Sequence, residues 1–170
     1  MLARNEIIFK WLLYALAAAL CLWVQTALLQ HITIWGVIPF LYPLLATIPA
    51  TYEGPLAGSV FALVVGVVCD SLLPGAFPCL YTLVFPLAGL CAGLLSHSLL
   101  PAGFICSLSA AAAAFFLTDT FRCFLLWIDR KAAWGAGFSV MAREFLITAP
   151  LVIPVTVLFR AVHRKAHEND

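Results

Sequence analysis

Long apolar runs separated by short polar breaks predict that this chain crosses a membrane several times. A helix needs roughly 20 apolar residues to cross the hydrocarbon core of a bilayer. About six stretches of that length can be placed along the chain, at approximately residues 8–29, 34–51, 55–73, 79–100, 104–128 and 137–161. We therefore expect one polytopic membrane domain over residues 1–170, built as an all-α bundle of about six transmembrane helices.

The first two predicted spans need separate comment. The first has a longer apolar core than a cleavable signal and no clear small-x-small cleavage site, so we interpret it as a retained helix. The second contains Pro39, Pro43 and Pro49, and each proline removes a helix hydrogen bond. We expect the second span to be kinked, partly re-entrant, or helical only late in the segment.

Small residues recur at every fourth position of the third span and form a ladder. The ladder consists of Gly54, Gly58, Ala62 and Gly66, and Asp70 follows at the next step. Small side chains allow the backbone of a neighbouring membrane helix to approach closely. Because four residues exceed one helical turn by about 40°, the ladder winds around the helix. One neighbour can therefore follow it only by crossing at an angle.

A second series with the same spacing lies in the fourth span, at Gly89, Gly93 and His97. We predict that the glycines and Ala62 form helix-packing or partner interfaces, and small residues that face lipid are the alternative. Antiparallel packing of the third and fourth spans would bring Glu53 and His97 to the same, cytoplasmic side. We interpret His97 as a hydrogen-bonding residue at the interface, because no second histidine or cysteine lies at metal-ligand spacing beside it.

The distribution of lysine and arginine predicts the orientation of the chain. Five cations flank the first and last spans: Arg4, Lys10, Arg160, Arg164 and Lys165. Segments rich in these residues stay in the cytoplasm, and six spans would place both termini on one side. We therefore expect both termini in the cytoplasm. Two further cations, Arg130 and Lys131, would then lie in an external loop and weaken this assignment without reversing it.

Composition supports a membrane protein. The chain is 64% hydrophobic and 10% charged, with a mean hydropathy of +1.06, whereas soluble domains contain about 25% charged residues. A net charge of +1 argues against a nucleic-acid partner. The six cysteines include no CxxC pair, and we interpret them as buried small hydrophobic residues. A bridge between Cys69 and Cys79, which flank one short loop, is the alternative.

Five charged residues fall in the outer halves of the predicted spans, where an unpaired charge is costly. They are Asp70, Asp119, Arg122, Arg143 and Glu144. Three interpretations remain open. In the first, Arg122 and Arg143 extend to the lipid headgroups while Asp70 contacts water. In the second, the five residues form a polar network that joins the third, fifth and sixth spans. In the third, they bind a transported ion or substrate. Asp119 and Arg122 can pair directly, because they are three residues apart on one helix.

Motifs of known enzymes are absent from the sequence. It contains no Walker loop, no GxSxG, no HExxH and no paired-carboxylate motif of an intramembrane hydrolase. The neighbouring Ser96 and His97 do not amount to a catalytic pair, because a nucleophile and its base need to be adjacent in space. We therefore expect a protein that is not an enzyme and that has no catalytic residues, no metal ligands and no cofactor.

Two stretches around the ladder carry a family resemblance. Residues 52–58 read YEGPLAG, and residues 66–75 read GVVCDSLLPG. The pattern has three parts. A charged residue precedes a glycine ladder, an aspartate ends the ladder, and a second small-residue helix with Gly89 and Gly93 follows. This pattern resembles the central signature of the rod shape-determining MreD family. The specific matches lie within residues 52–93, and the flanking segments match by hydropathy alone. Pro74 and the Phe77-Pro78-Cys79 stretch depart from the family pattern.

The resemblance implies a non-enzymatic scaffold subunit of the bacterial cell-elongation complex, or elongasome, in the cytoplasmic membrane. Such subunits bind the bitopic protein MreC and thereby link the actin-like MreB filament to peptidoglycan synthases, which controls cell shape. The family also resembles the S-components of energy-coupling-factor vitamin transporters in fold, which implies an S-component-like bundle. A vitamin-binding S-component is therefore the alternative function, with an outer cavity contacted by Asp70, Arg122 or Arg143. The outer loops offer few polar ligand groups, which favours the scaffold.

Overall fold

The computed structural model describes residues 2–73, 79–128 and 134–167. Within these ranges the regular elements are seven α-helices and two short 3₁₀ turns, Leu29–His31 and Ala149–Leu151. The α-helices are α1 (Leu2–Ala27), α2 (Tyr42–Glu53), α3 (Pro55–Leu72), α4 (Leu80–Ser98), α5 (Phe104–Ile128), α6 (Trp134–Thr148) and α7 (Val152–His167). The prediction of an all-helical protein is confirmed for the described residues.

Five helical segments are long and apolar enough to cross a membrane. They are Ile7–His31, Pro55–Leu72, Leu80–Ser98, Phe104–Ile128 and Gly137–Ala166. This supports a multi-pass membrane protein, as the sequence predicts. The last of the five is interrupted by the 3₁₀ turn Ala149–Leu151, where Pro150 cannot donate a helix hydrogen bond. The predicted sixth span is therefore two helices, and the second of them continues past residue 161 to His167.

The second predicted span, residues 34–51, is helical only in its later part, which was one of the three expectations. Between the 3₁₀ turn and α2 the backbone is not helical, and Ile34 and Val37 form an isolated bridge. Helix α2 begins only at Tyr42, with Pro43 in its first turn, where the missing N–H group is not needed. Its 12 residues extend for about 18 Å, well short of the roughly 30 Å of a bilayer core.

Side chains from distant helices hold the non-helical segment that leads into α2. The side-chain amide of Gln25 donates to the carbonyl of Pro39 at 2.9 Å, and its oxygen accepts from the N–H of Leu41 at 2.9 Å. The N–H of Phe40 donates to the hydroxyl of Thr148 at 3.1 Å. Irregular backbone is tolerated at membrane depth where protein encloses it and satisfies its polar groups. Gln25 and Thr148 meet that requirement here.

Helix α2 forms the centre of the bundle. Every residue from Tyr42 to Thr51 is buried, so the helix has no face that reaches lipid. It packs against α1, α3, α4, α5 and α7. A helix that is apolar on all sides belongs in the interior of a protein. The short helix is thus the core around which the longer helices assemble.

Small residues bring the backbones of α2, α3 and α4 close together. A methyl group added at Gly58 would overlap Ala50 of α2. One added at Gly66 would lie 2.6 Å from the carbonyl oxygen of Tyr81, and one added at Gly93 would lie 2.5 Å from the Cα atom of Pro55. The α3–α4 contact is the most extensive between any two described elements. The ladder of the third span therefore faces α2 and α4 of the same chain.

The chain passes six times between the two ends of the bundle. Lys10 near the start of α1, Glu53 at the end of α2 and His163 near the end of α7 contact one another. The start of α1 and the end of α7 therefore lie at the same end, which we call the terminal end. The opposite end is called the distal end. The non-helical segment together with α2 provides the return pass that α2 alone is too short to make.

We expect the substitution Gly58→Leu to destabilise the folded protein strongly. The larger side chain meets the backbone of α2, which cannot move without opening the core, and overpacking typically costs about 1–3 kcal/mol or more. The unfolding temperature of the detergent-solubilised protein measures the effect. Gly103→Ala is the matched control, because a methyl group there meets nothing closer than 3.7 Å. Equal unfolding temperatures for the two variants would contradict close packing at Gly58.

Candidate functional site

A polar cluster at the terminal end is centred on Glu53, and we call it the Glu53 cluster. Lys10 forms an ion pair with one carboxylate oxygen of Glu53. The other oxygen accepts a hydrogen bond from the hydroxyl of Tyr14 at 2.8 Å and lies 3.1 Å from Nδ1 of His163. The cluster therefore joins α1, α2 and α7. It is a buried connection between helices that are distant in sequence.

The environment of Glu53 favours its ionised form. The side chain of Glu53 is only 6% exposed, and burial by itself raises the pKa of the carboxyl group. The hydrogen bonds from Lys10, Tyr14 and His163 act in the opposite direction and outweigh burial, so the pKa lies below its ordinary value. Glu53 is thus a carboxylate held by its partners. The ring of Tyr14 is itself fixed by stacking on Phe159 at 6.0 Å.

The structure does not bring His97 to Glu53. His97 is exposed near the end of α4, although that end of α4 does lie at the terminal end of the bundle. Its neighbour Ser96 makes the contact between the helices instead, because its hydroxyl donates to the carbonyl of Thr51 at 2.6 Å. The histidine that contacts Glu53 is His163.

A second cluster, the Asp119 cluster, lies at the distal end and consists of Asp119, Arg122 and Glu144. The guanidinium of Arg122 lies 3.5 Å from a carboxylate oxygen of Asp119 and 3.8 Å from one of Glu144. Asp119 is buried, and its second oxygen has no hydrogen-bond partner among the described residues. Two carboxylates thus share one cation. The cluster joins α5 to α6 in the manner of an interhelical polar network.

The remaining two predicted members of the distal network lie outside it. Asp70 accepts hydrogen bonds from the N–H of Tyr81 at 3.2 Å and from the N–H and hydroxyl of Thr82 at 2.8 and 2.6 Å. These are donors of the first turn of α4, so Asp70 of α3 caps the start of the neighbouring helix. Arg143 is exposed and forms no ion pair with the part of the chain that is described.

The ladder residues take two different roles. Gly54 is the turn between α2 and α3, with a φ of 87° that favours glycine, and its surroundings are open. Its backbone nevertheless lies close to α4, because a methyl group added at Gly93 would lie 2.8 Å from the carbonyl carbon of Gly54. The other members face neighbouring helices of the same chain: Gly58, Ala62, Gly66, Gly89 and Gly93. A methyl group added at Gly89 would lie 2.8 Å from the Cβ atom of Ala62.

Neither a metal-binding group nor a disulfide is found in the regions that the structure describes. No group of three or more His, Cys, Asp or Glu residues there could hold a metal ion. The six cysteines are free thiols, including Cys69, which is buried, and Cys79, which is exposed. The structure thus does not form the alternative Cys69–Cys79 bridge.

Several residues that build these sites were not identified from the sequence. They are Tyr14, Gln25, Thr148 and His163. Gln25 does carry a signal, because it is a polar residue inside a long apolar run, where such residues commonly contact other helices. Tyr14 and His163 carry none, because their shared partner Glu53 is distant in sequence from both.

Comparison with known proteins adds no assignment. No protein-family model matches the chain, no curated protein matches it, and no solved structure matches it.

The cap on α4 predicts unequal effects of two substitutions at Asp70. Asp70→Asn keeps a side-chain oxygen that accepts from the N–H of Thr82, so we expect a small loss of stability. Asp70→Leu removes every acceptor, and the loss of a helix cap costs about 1 kcal/mol. Thermal unfolding in detergent compares the two variants. Equal losses would show that the charge of Asp70, and not its hydrogen bonding, is the property that the fold requires.

A double-mutant cycle tests the ion pair of the Glu53 cluster. Lys10→Met leaves the buried carboxylate of Glu53 without its cation, and we expect a loss of roughly 1–3 kcal/mol. Adding Glu53→Gln removes the charge that needs the cation, so the double variant should be more stable than Lys10→Met alone. The free energy of unfolding is the measurement. Additive losses would show that Lys10 and Glu53 do not depend on each other.

Proposed function

We propose that this chain is a non-enzymatic scaffold subunit of a bacterial cell-elongation complex, similar to the MreD family. It would reside in the cytoplasmic membrane with both termini in the cytoplasm and bind a bitopic MreC-like protein. Through that partner it would connect an MreB-like filament to peptidoglycan synthases. The proposal rests on the resemblance of residues 52–93 to the family signature.

The observation that carries the proposal is the structural role of those signature residues. Gly58 and Gly66 allow close packing of α3 against α2 and α4, and Asp70 caps α4. These three signature residues thus build a tightly packed three-helix unit. A scaffold needs such a unit, because a partner can be positioned only by a surface that keeps its shape.

The alternative S-component function would need an outer cavity lined by Asp70, Arg122 or Arg143. Three cavities formed by described residues have other linings. Two adjoin each other at the terminal end. The third, of about 430 Å³, lies between α5 and α6 and is lined by apolar residues such as Phe116 and Leu146. Asp70 and Arg122 are engaged within the chain, Asp70 as the cap of α4 and Arg122 beside Asp119 and Glu144, which favours the scaffold over a vitamin-binding subunit.

The internal packing of the ladder limits where a partner helix can bind. Because α2 and α4 already cover the small-residue face of α3, a partner would use the outward faces of the bundle. Four of the outward faces offer the following well-exposed apolar side chains: Leu16 on α1 (60%), Val60 on α3 (63%), Leu83 on α4 (70%) and Val157 on α7 (62%). These four positions sample the surface without touching the core.

Site-specific photo-crosslinking in the native bacterium tests the proposal. A photoreactive residue is placed at Leu16, Val60, Leu83 or Val157, and Ala46, which is 0% exposed, serves as the buried control. We expect a cross-link to a single-span membrane protein from one or two adjacent faces and none from Ala46. We also expect that depletion of the chain turns rod-shaped cells round and that the unmodified chain restores them.

Two results would contradict the scaffold. Rod shape that persists after depletion would remove the chain from cell elongation. Co-purification with a pair of ATPases, together with a growth requirement for a vitamin after depletion, would support the S-component instead.

A further inference from the structure

A groove with basic and apolar walls opens at the terminal end, between α7 and the start of α5. It consists of two adjoining cavities of about 580 and 250 Å³. Both are lined by Tyr52, Val157 and Arg160, so they form one continuous depression. Arg164 lines the larger cavity, and Phe104 and Thr156 line the smaller one. We call this depression the α7 groove.

Two guanidinium groups of the α7 groove have no carboxylate partner among the side chains that the structure describes. Arg160 and Arg164 lie one turn apart on α7, and both are exposed. Neither forms an ion pair with a carboxylate in the described ranges, unlike Lys10 and Arg122. The only carboxylate of the neighbourhood that is described is Glu53, and it is already bound by Lys10, Tyr14 and His163. The groove therefore presents a site for an anion.

The opposite part of the groove is apolar and open to lipid. Val157 is 62% exposed, Ile153 is 53% exposed and Phe104 is 45% exposed. Val157 and Ile153 lie on the same face of α7 as Arg160, toward the middle of the bundle. An occupant that contacts the arginines with its head can therefore extend a hydrocarbon chain along this wall.

A buried hydroxyl group provides an independent sign of an occupant. Thr156 lines the smaller cavity, is 5% exposed, and its hydroxyl has no hydrogen-bond partner among the described residues. Buried polar groups in folded proteins are almost always hydrogen-bonded. The hydroxyl oxygen is itself inaccessible, so the Thr156 side chain must turn toward the cavity for an acceptor oxygen of a bound molecule, such as the ester carbonyl of a lipid, to satisfy it.

We propose that the α7 groove binds an anionic phospholipid of the bilayer. The lipid phosphate contacts Arg160 and Arg164, an ester oxygen accepts from Thr156, and an acyl chain follows Val157 and Ile153. Basic pockets between membrane helices commonly bind acidic headgroups on the cytoplasmic side. A soluble anion would use only the arginines and leave the apolar wall without a role. The inference does not depend on the scaffold function, because it rests only on the groove.

Lipid retention by the purified full-length chain tests the proposal. The detergent-solubilised protein is titrated with phosphatidylglycerol, and bound lipid is counted by native mass spectrometry. We expect the double variant Arg160→Gln/Arg164→Gln to bind phosphatidylglycerol roughly 30-fold more weakly. Each cation near the membrane surface raises the affinity for an anionic lipid about five- to six-fold, and two cations are removed. Phosphatidylcholine is the zwitterionic control. Inorganic phosphate at the same concentration distinguishes a lipid from a free anion.

Two single substitutions separate a specific groove from a general effect of charge. Arg143→Gln removes an exposed cation at the distal end and should leave lipid binding unchanged. Thr156→Val keeps all charges and should weaken binding several-fold, as expected for one lost hydrogen bond. The unfolding temperature without added lipid shows that each variant is folded.

The proposal is overturned by any of three results. The first is that the double variant binds phosphatidylglycerol with the same affinity as the unmodified chain. The second is that Arg143→Gln weakens binding as much as the double variant. The third is that inorganic phosphate competes fully with the lipid. An acidic protein segment that displaces the lipid from the α7 groove in the native membrane would likewise replace the lipid as the occupant.

Discussion

Close contact between helix backbones is the interaction on which this fold depends. Helix α2 is too short to cross a bilayer and is buried on every side, so its neighbours must enclose it completely. In hydrocarbon, lipid tails are as apolar as side chains, and helices associate through packing and not through exclusion of water. The glycines at positions 58, 66 and 93 allow that packing, because any larger side chain would meet backbone atoms. The core thus requires glycine at these three positions.

The sequence predicted the existence of close packing but not its partner. A ladder of small residues indicates that a backbone approaches, and it contains no information on whether that backbone belongs to another protein. Here it belongs to α2 and α4. The prolines of the second span likewise indicated an irregular segment. They could not indicate where the helix begins, because that depends on hydrogen bonds with Gln25 and Thr148, which belong to other helices.

The charged residues show the same limit. Asp119 and Arg122 were predictable as a pair, since helical spacing alone brings them together. Asp70 was not predictable as a cap, because its partners are mainly backbone N–H groups, which are not visible in a pattern of side chains. Arg143 and Glu144 are adjacent in sequence, yet consecutive residues of a helix point about 100° apart. Only Glu144 reaches Arg122.

The described charges occupy the two ends of the bundle and leave its middle apolar. The Glu53 cluster lies at the terminal end, and the Asp119 cluster lies at the distal end. A proton or ion pathway normally shows a series of ionisable groups across the bilayer. Each of the two clusters ties helices together at its own end of the bundle.

The position of Glu53 has a consequence for biogenesis. A ribosome delivers α1 and α2 to the membrane well before α7, so the nascent carboxylate meets Lys10 and Tyr14 first. It obtains His163 only after α7 has been inserted. Until then the polar centre is incomplete, and the α1 surface that α7 later covers stays open. Contact between α7 and the Glu53 carboxylate therefore distinguishes the complete bundle from an assembly intermediate.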